Sequence, residues 1–372
     1  MRQMIQQKQQ TWWTVEIDGM EDFDMSMKRI YAWYENEIID RPPVRFIAHN
    51  AFLEAAKEDI SQLSPTEKKA WWFDVETQVD LFIKSIEGQK FHGETFPVYF
   101  PNLGPDVYAA FYGAELEFGE VTSWSIPLVR EWDDVETLKL DMDNEYFRKL
   151  EELTEFALEQ SPGKFLVGYT DLHPGLDCVA AWRDPQQLCF DMIDNPGKVK
   201  ELAELAIADF EIVYDHFDKM LKAHNQLSVS WMGIPSFERM HIPSCDFSTL
   251  ISPAFFREFG LPILRREVQT MTHNIFHVDG KGVARHLEAI LSVPQVHALQ
   301  WVQGVGDDLP IMQWVPFLKE LQSRGVPTIV DLNQKELDAF MAELKPPGLF
   351  LWMATDSEEE ELEILNRVAK WV

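Results

Sequence analysis

Cysteine is scarce in this chain of 372 residues. Only Cys178, Cys189 and Cys245 occur, and no two of them form a C-x-x-C pair. This excludes a disulfide framework, a zinc ribbon and a thioredoxin-type motif, and leaves three thiols to be read as buried and reduced. Basic residues are also few. Lys plus Arg is 33 against 62 Asp plus Glu, a formal net charge of −29. Nucleic-acid binding needs a basic face to meet phosphates, and an anionic membrane surface would repel such a chain. No apolar run approaches the roughly 18–20 residues that cross a bilayer, and the polar start MRQMIQQKQQTWW has no signal-peptide core. The expectation is a soluble, cytoplasmic protein with no nucleic-acid or membrane partner. G-x-G-x-x-G after a strand, the Walker A lysine motif and G-x-S-x-G are missing too. Nicotinamide, ATP and serine-hydrolase chemistry thereby lose their sequence support. Asp171-Leu172-His173-Pro174-Gly175 begins like the cobalamin-binding signature D-x-H-x-x-G, but Leu176 stands where the glycine belongs, so a built-in cobalamin domain is rejected.

What the chain does have is apolar mass and order. Hydrophobic residues are 46% and aromatics 12%, with thirteen Trp, enough for a large core. Short apolar segments recur between helical ones: 43–48, 96–103, 165–170, 227–232, 275–278, 296–302, 326–330 and 349–353. Their character is continuous rather than alternating, as in strands buried on both faces of a parallel sheet. Helices are expected over 198–225, 253–272 (Ser252 as N-cap, Pro253 in the first turn), 283–291, 313–324 (Gly325 as the terminating glycine) and 333–344, and one begins at the four-glutamate run 358–361. Eight strands alternating with helices predict an α/β fold, a single (β/α)8 TIM-type barrel over 1–372. A helical N-terminal extension over about 1–40 and a strand-and-turn excursion near 104–145 complete it. An open doubly wound sheet is the alternative.

In such a barrel the site lies at the C-terminal ends of the strands. That rule selects Asp171, His173 and Asp177 after the third segment. After the fourth it selects Trp231, Met232 and a loop with Glu238, His241, Cys245 and Asp246. His277 and Asp279 follow at the fifth, then Trp301, Gln303, Asp331, Trp352 and Asp356. Glu238 and His241 read as a solvent-facing pair. His277-Val278-Asp279 is the most concentrated polar group. Alternate residues on a strand share a face, so imidazole and carboxylate can converge to hold a metal, move a proton or bind a substrate. The candidate catalytic residues are His277, Asp279 and Asp171. His173, Trp231, Met232, Trp301, Gln303, Asp331 and Trp352 are the candidate substrate-binding residues.

The runs CDFSTLISPAFFREFGLPIL and FHVDGKGVARHLEAILSVPQVHALQWVQG, with FGEVTSWSIPLV and VGYTDLHPGLDCVAAWRDPQQLCFDMIDNP, resemble the uroporphyrinogen decarboxylase superfamily over about residues 110–310. The resemblance implies one (β/α)8 barrel and two possible chemistries. One is cofactor-free decarboxylation of uroporphyrinogen. The other is methyl transfer to or from the cobalt of a separate corrinoid protein, with zinc bound. The decarboxylase branch carries R-Q-A-G-R after its first strand; here PPVRFIAHNAFLEA offers only Arg45, and His49-Asn50-Ala51 replaces the basic cluster. The methyltransferase branch shows His-x-Cys and a later Cys; here Asp279 occupies the first Cys position, and LFLWMATD has none. A thiolate zinc site of the standard kind is therefore excluded, and an ion would use His277 with oxygen ligands such as Asp279, in a His/Asp/Glu set or a His/Asp/Cys set with Cys245, a harder site suited to an oxygen leaving group. The expected protein is a corrinoid-protein-dependent methyltransferase or demethylase acting on a small aromatic or apolar donor. Its cobalamin arrives with the partner, and a homodimer is allowed. The alternatives are a decarboxylase of a smaller or less acidic substrate, with Asp171 or Asp279 stabilising the intermediate, and a non-catalytic barrel.

Overall fold

A computed structural model describes residues 12–48 and 60–371. His49, Asn50 and Ala51 lie outside them. Ten strands follow in chain order: β1 (Val44–Ala48), β2 (Val98–Tyr99), β3 (Glu115–Phe118), β4 (Ser123–Ile126), β5 (Leu166–Val167), β6 (Met240–His241), β7 (His273–Asp279), β8 (Ala298–Val302), β9 (Thr328–Asp331) and β10 (Leu349–Thr355). Six of them form one curled sheet in the order β1-β10-β9-β8-β7-β6, parallel throughout. β2 and β5 form a separate parallel pair. This is an α/β, TIM-like half-barrel with helices packed on its outside.

The apolar segments become strands where nothing interrupts the ladder. The segment 96–103 is reduced to Val98–Tyr99 because Pro97 and Pro101 cannot donate to it. The expected strand over 227–232 is not one. It makes an antiparallel bridge, Ser228 to Ser236, and its Val229 carbonyl accepts from Tyr169 N–H. The chain turns back at Gly233, whose φ of +64° ends extension there. β6, absent from the expectation, then pairs with β7 in its place. The excursion near 104–145 contains the antiparallel hairpin β3–β4.

The expected helix over 198–225 is two, Pro196–Ala208 and Phe210–Ala223, parted at Asp209. The one over 253–272 starts as expected, with Ser252 Oγ accepting from Phe255 N–H, but passes through a π turn at Phe256–Gly260. Pro262 explains the turn: it lacks an N–H, and its ring would meet the carbonyl four residues back. The 283–291 helix is likewise broken into Gly280–Ala284 and Leu287–Ile290. The last helix, Glu358–Val368, opens with four glutamates under the Ser357 cap, where the macrodipole favours negative charge.

The helix Phe23–Tyr34 covers the N-terminal ends of the strands. Its Met27, Ile30 and Trp33 are fully buried, and Trp33 Nε1 donates to the Gly348 carbonyl just before β10. The fully buried Glu94 anchors this end. It accepts two bonds from Arg41 (2.7 and 3.0 Å), one from Arg29 (3.1 Å) and one from Val44 N–H (2.7 Å) at the start of β1. The opposite, C-terminal end is thereby left open for a site.

Candidate functional site

β7 and β8 place the central group. Their parallel register sets His277 beside Gln300, and His277 Nδ1 lies 2.6 Å from Gln300 Oε1. An amide oxygen only accepts, so Nδ1 carries the proton and Nε2 keeps a free lone pair. The Trp231 ring stands edge-on to the imidazole, 5.3 Å between centroids. Asp279, two residues on, shares the His277 face. Asp246 joins them from the loop after β6, and one ligand atom from each of Asp246, His277 and Asp279 lies within 4.8 Å of the others. Cys245, expected as the third ligand, is not in this group. It is buried, and burial holds its thiol well above the usual range. The carboxylate one residue later takes its place.

Asp246 is itself held in position. Asp177 accepts from the backbone N–H groups of Asp246 (3.0 Å) and Phe247 (2.8 Å). Burial and the neighbouring Asp246 raise the Asp177 carboxyl above its ordinary range. Asp171 and His173 pair with each other at 2.9 Å. Burial opposes a charge on His173, but Asp171, with Asp177 and Asp246 behind it, outweighs it and lifts the imidazole to about 10. His173, Asp177, Asp246 and Asp279 line one cavity of about 650 Å³, walled also by Trp124 of the β3–β4 hairpin.

A second cavity of about 600 Å³ opens at the ends of β1, β9 and β10, lined by Ile47, Asp331 and Trp352, and by Gln303 beyond β8. Burial raises the Asp331 carboxyl to about 6, although Arg45 and His277 pull it down. Arg45 projects from β1 across the Trp352 ring, 4.6 Å from its centroid, and donates to the Met232 carbonyl (2.5 Å). Burial depresses its guanidinium to about 10, with Asp331 opposing the shift. Gly233 makes room for it: a Cβ there would lie 2.9 Å from Arg45 Nη2.

Two expected residues point elsewhere. Trp301 alternates with Gln300 along β8, so its ring packs outward on Trp314 (4.9 Å) and Phe317 (4.8 Å). The Met232 side chain is fully buried, and only its carbonyl serves Arg45. His241 is not a solvent-facing residue either; it lies buried on β6 and meets Glu267 at 2.8 Å. Sequence reasoning passed over Gln300 and did not place Arg45 in the site. A polar residue inside an otherwise apolar strand was the available signal for both.

The three acceptors Asp246, Asp279 and His277 Nε2 suit a divalent ion of zinc type, and the bond from His277 Nδ1 to Gln300 is the kind of outer contact that orients a metal-binding imidazole.

No family model matches the chain, and no curated protein matches it in sequence. Among solved structures it is similar to a methyltransferase from Methanosarcina mazei, with a TM-score of 0.63 at 11% identity over 92% of this chain and 98% of that one. At that identity the likeness establishes the fold. No helix among the described residues is long and apolar enough to cross a membrane.

Proposed function

We propose that the chain is a methyltransferase of the uroporphyrinogen decarboxylase superfamily, built on a closed (β/α)8 barrel, that passes a methyl group from a small aromatic or apolar donor to the cobalt of a separate corrinoid protein. The observation that carries it is the convergence of Asp246, His277 and Asp279 at the C-terminal end of β7. The fold likeness to a methyltransferase supports it.

Asp246, Asp279 and His277 would hold a zinc-type ion, which supplies Lewis acidity toward an oxygen or nitrogen leaving atom. The protein's own residues do the rest. Gln300 fixes the imidazole tautomer, and Asp177 holds the Asp246 loop. The Trp231 ring, edge-on to His277, backs the imidazole. In the transfer, the bond from methyl carbon to leaving atom breaks and its electron pair stays on that atom, which finally takes a proton. The electron pair for the new bond to carbon would come from the methyl acceptor, the reduced cobalt of the partner's corrinoid. His173, lifted to about 10 beside Asp171, is a proton source lining the same cavity.

The test combines elemental analysis with anaerobic assays. Purified protein is incubated with reduced cobalamin and a panel of methoxyarenes and methylamines, and the Co(I) absorbance is followed. Stoichiometric metal, consumption of Co(I) with one donor, and loss of both in His277→Ala are expected. Metal-free protein that converts uroporphyrinogen to coproporphyrinogen at an enzymatic rate would overturn the proposal in favour of a decarboxylase.

A further inference from the structure

The cavity of about 650 Å³ beside the candidate metal group has a one-sided wall. Five carboxylates line it: Asp106, Asp177, Asp184, Asp246 and Asp279. Against them stands one basic side chain, His173, which Asp171 already engages at 2.9 Å. Among the described residues no lysine or arginine lines the cavity, and none of the five carboxylates is in an ion pair. Lys281, two residues beyond Asp279, pairs instead with Asp308 at 3.0 Å. What the carboxylates meet is backbone. Asp106 accepts from Ser125 N–H (2.8 Å), and Asp184 accepts from Gln186 (2.9 Å) and Gln187 (3.0 Å) N–H. Asp177 holds the Asp246 and Phe247 N–H groups. Amide N–H groups orient a carboxylate but leave its net charge in place. A divalent ion on Asp246, His277 and Asp279 would still leave the wall net negative. The other lining residues are uncharged, and Trp124, Phe247 and Leu250 give apolar surface. Charges around a cavity act partly through protein, where their field is stronger than on an open face.

We propose that this cavity selects an organic cation, an ammonium group on an aromatic or apolar body, over neutral and anionic molecules of the same shape. His277 and its two carboxylates locate the site; the remaining walls say what it takes. An anion would meet like charges with no free base to receive it. A neutral molecule would leave those charges unanswered. An ammonium group offsets them while its body has Trp124, Phe247 and Leu250 to lie against, and a Trp ring also attracts cations. The inference rests on the proposed function in taking this cation for the methyl donor; the charge preference itself stands on the cavity wall alone.

The experiment is ligand-observed NMR titration of the full chain with two charge series. The aryl series is para-methoxybenzylamine, para-methoxybenzyl alcohol and para-methoxybenzoate. The alkyl series is methoxyethylamine, methoxyethanol and methoxyacetate. In whichever series binds, the amine is expected to bind at least about tenfold more tightly than the alcohol, and the acid more weakly still. Asp106→Asn and Asp184→Asn keep an oxygen for the backbone contacts. Each should cut the amine-to-alcohol ratio at least about threefold, with alcohol affinity kept. Loading wild type with zinc should lower amine affinity, because the ion neutralises carboxylates of the same wall, without reversing the order. Equal binding of amine and alcohol, tighter binding of the acid, or no binding of either amine would overturn the proposal. So would an undiminished ratio in both variants, which would place the cation elsewhere on this acidic chain. If neither variant folds, the drop on zinc loading decides. Charge selection without methyl transfer from any amine would sink the proposed function and leave this inference standing; transfer confined to neutral donors would do the reverse.

Discussion

The contact from Gln300 to His277 makes a sharp prediction because it separates holding an ion from holding the fold. Gln300 is 97% buried, and its amide oxygen lies 2.6 Å from His277 Nδ1. Replacing it with Leu keeps the volume and the strand but removes the acceptor. The imidazole then has no fixed tautomer, and the share of molecules presenting Nε2 as a lone pair falls. Losing such an outer partner lowers metal affinity by about 10–100-fold, or about 1.4–2.7 kcal/mol at 1.36 kcal/mol per decade. The apolar replacement also strands the Nδ1–H, adding a stability cost of about 1–3 kcal/mol. Competition of apo protein for zinc against a chromophoric chelator measures the first quantity, and urea denaturation of apo protein the second. A Gln300→Leu protein that binds zinc as tightly as wild type would refute the reasoning. The ion would then not use His277 Nε2, or the ring would be held by something other than Gln300.

Other residues are open to equally direct tests. Glu94→Ala strands Arg41 and the Val44 N–H in the interior and is expected to cost about 3–5 kcal/mol in urea denaturation, with Glu94→Gln milder. Gly233→Ala adds a Cβ at φ +64° against Arg45 and should cost about 1–2 kcal/mol by the same measurement. An unshifted urea midpoint would show that residue 233 leaves the left-handed region on substitution and that the close approach of Arg45 does not constrain it. His173 is raised from 6.5 to about 10 in the folded chain, so its stabilisation is complete below pH 6.5 and disappears as pH rises through 10. The stability gap between wild type and Asp171→Asn should therefore narrow from pH 6.5 to 10, and a pH-independent gap would mean the pair is neutral.

The parts of this fold legible in the sequence are those where one local rule decides. The segments of β7, β8 and β10 are free of proline, β9 begins directly after Pro327, and each strand appears within a few residues of its expected bounds. The Ser252 cap, the Gly325 stop and the helix start at the four-glutamate run rest on local backbone chemistry and also stand where expected. The failures lie where a long-range contact wins. Residues 227–232 look like a strand, yet Gly233 reverses the chain and β6 takes the place beside β7. Trp301 sits on a strand bearing site residues, but the two-residue period sends it outward and Gln300 inward.

The same reasoning bears on which residues converge at the candidate metal site. His277 and Asp279 are fixed by strand period alone and converge as read. The third member belongs to a loop, where spacing predicts nothing about direction. Asp177, almost seventy residues away, sets that direction by binding the N–H groups of Asp246 and Phe247. Cys245 was read as a possible soft ligand beside His277, but burial holds its thiol well above the usual range and it is not among the converging ligand groups. The chemistry of the loop is thus decided by a buried acid in another segment. Asp177→Ala should then weaken zinc binding without removing a ligand, whereas Asp246→Ala removes one. Equal losses in the two variants, with the Asp246→Ala loss not increased by adding Asp177→Ala, would show that Asp177 acts wholly through Asp246. Additive losses would show that it reaches the ion by itself.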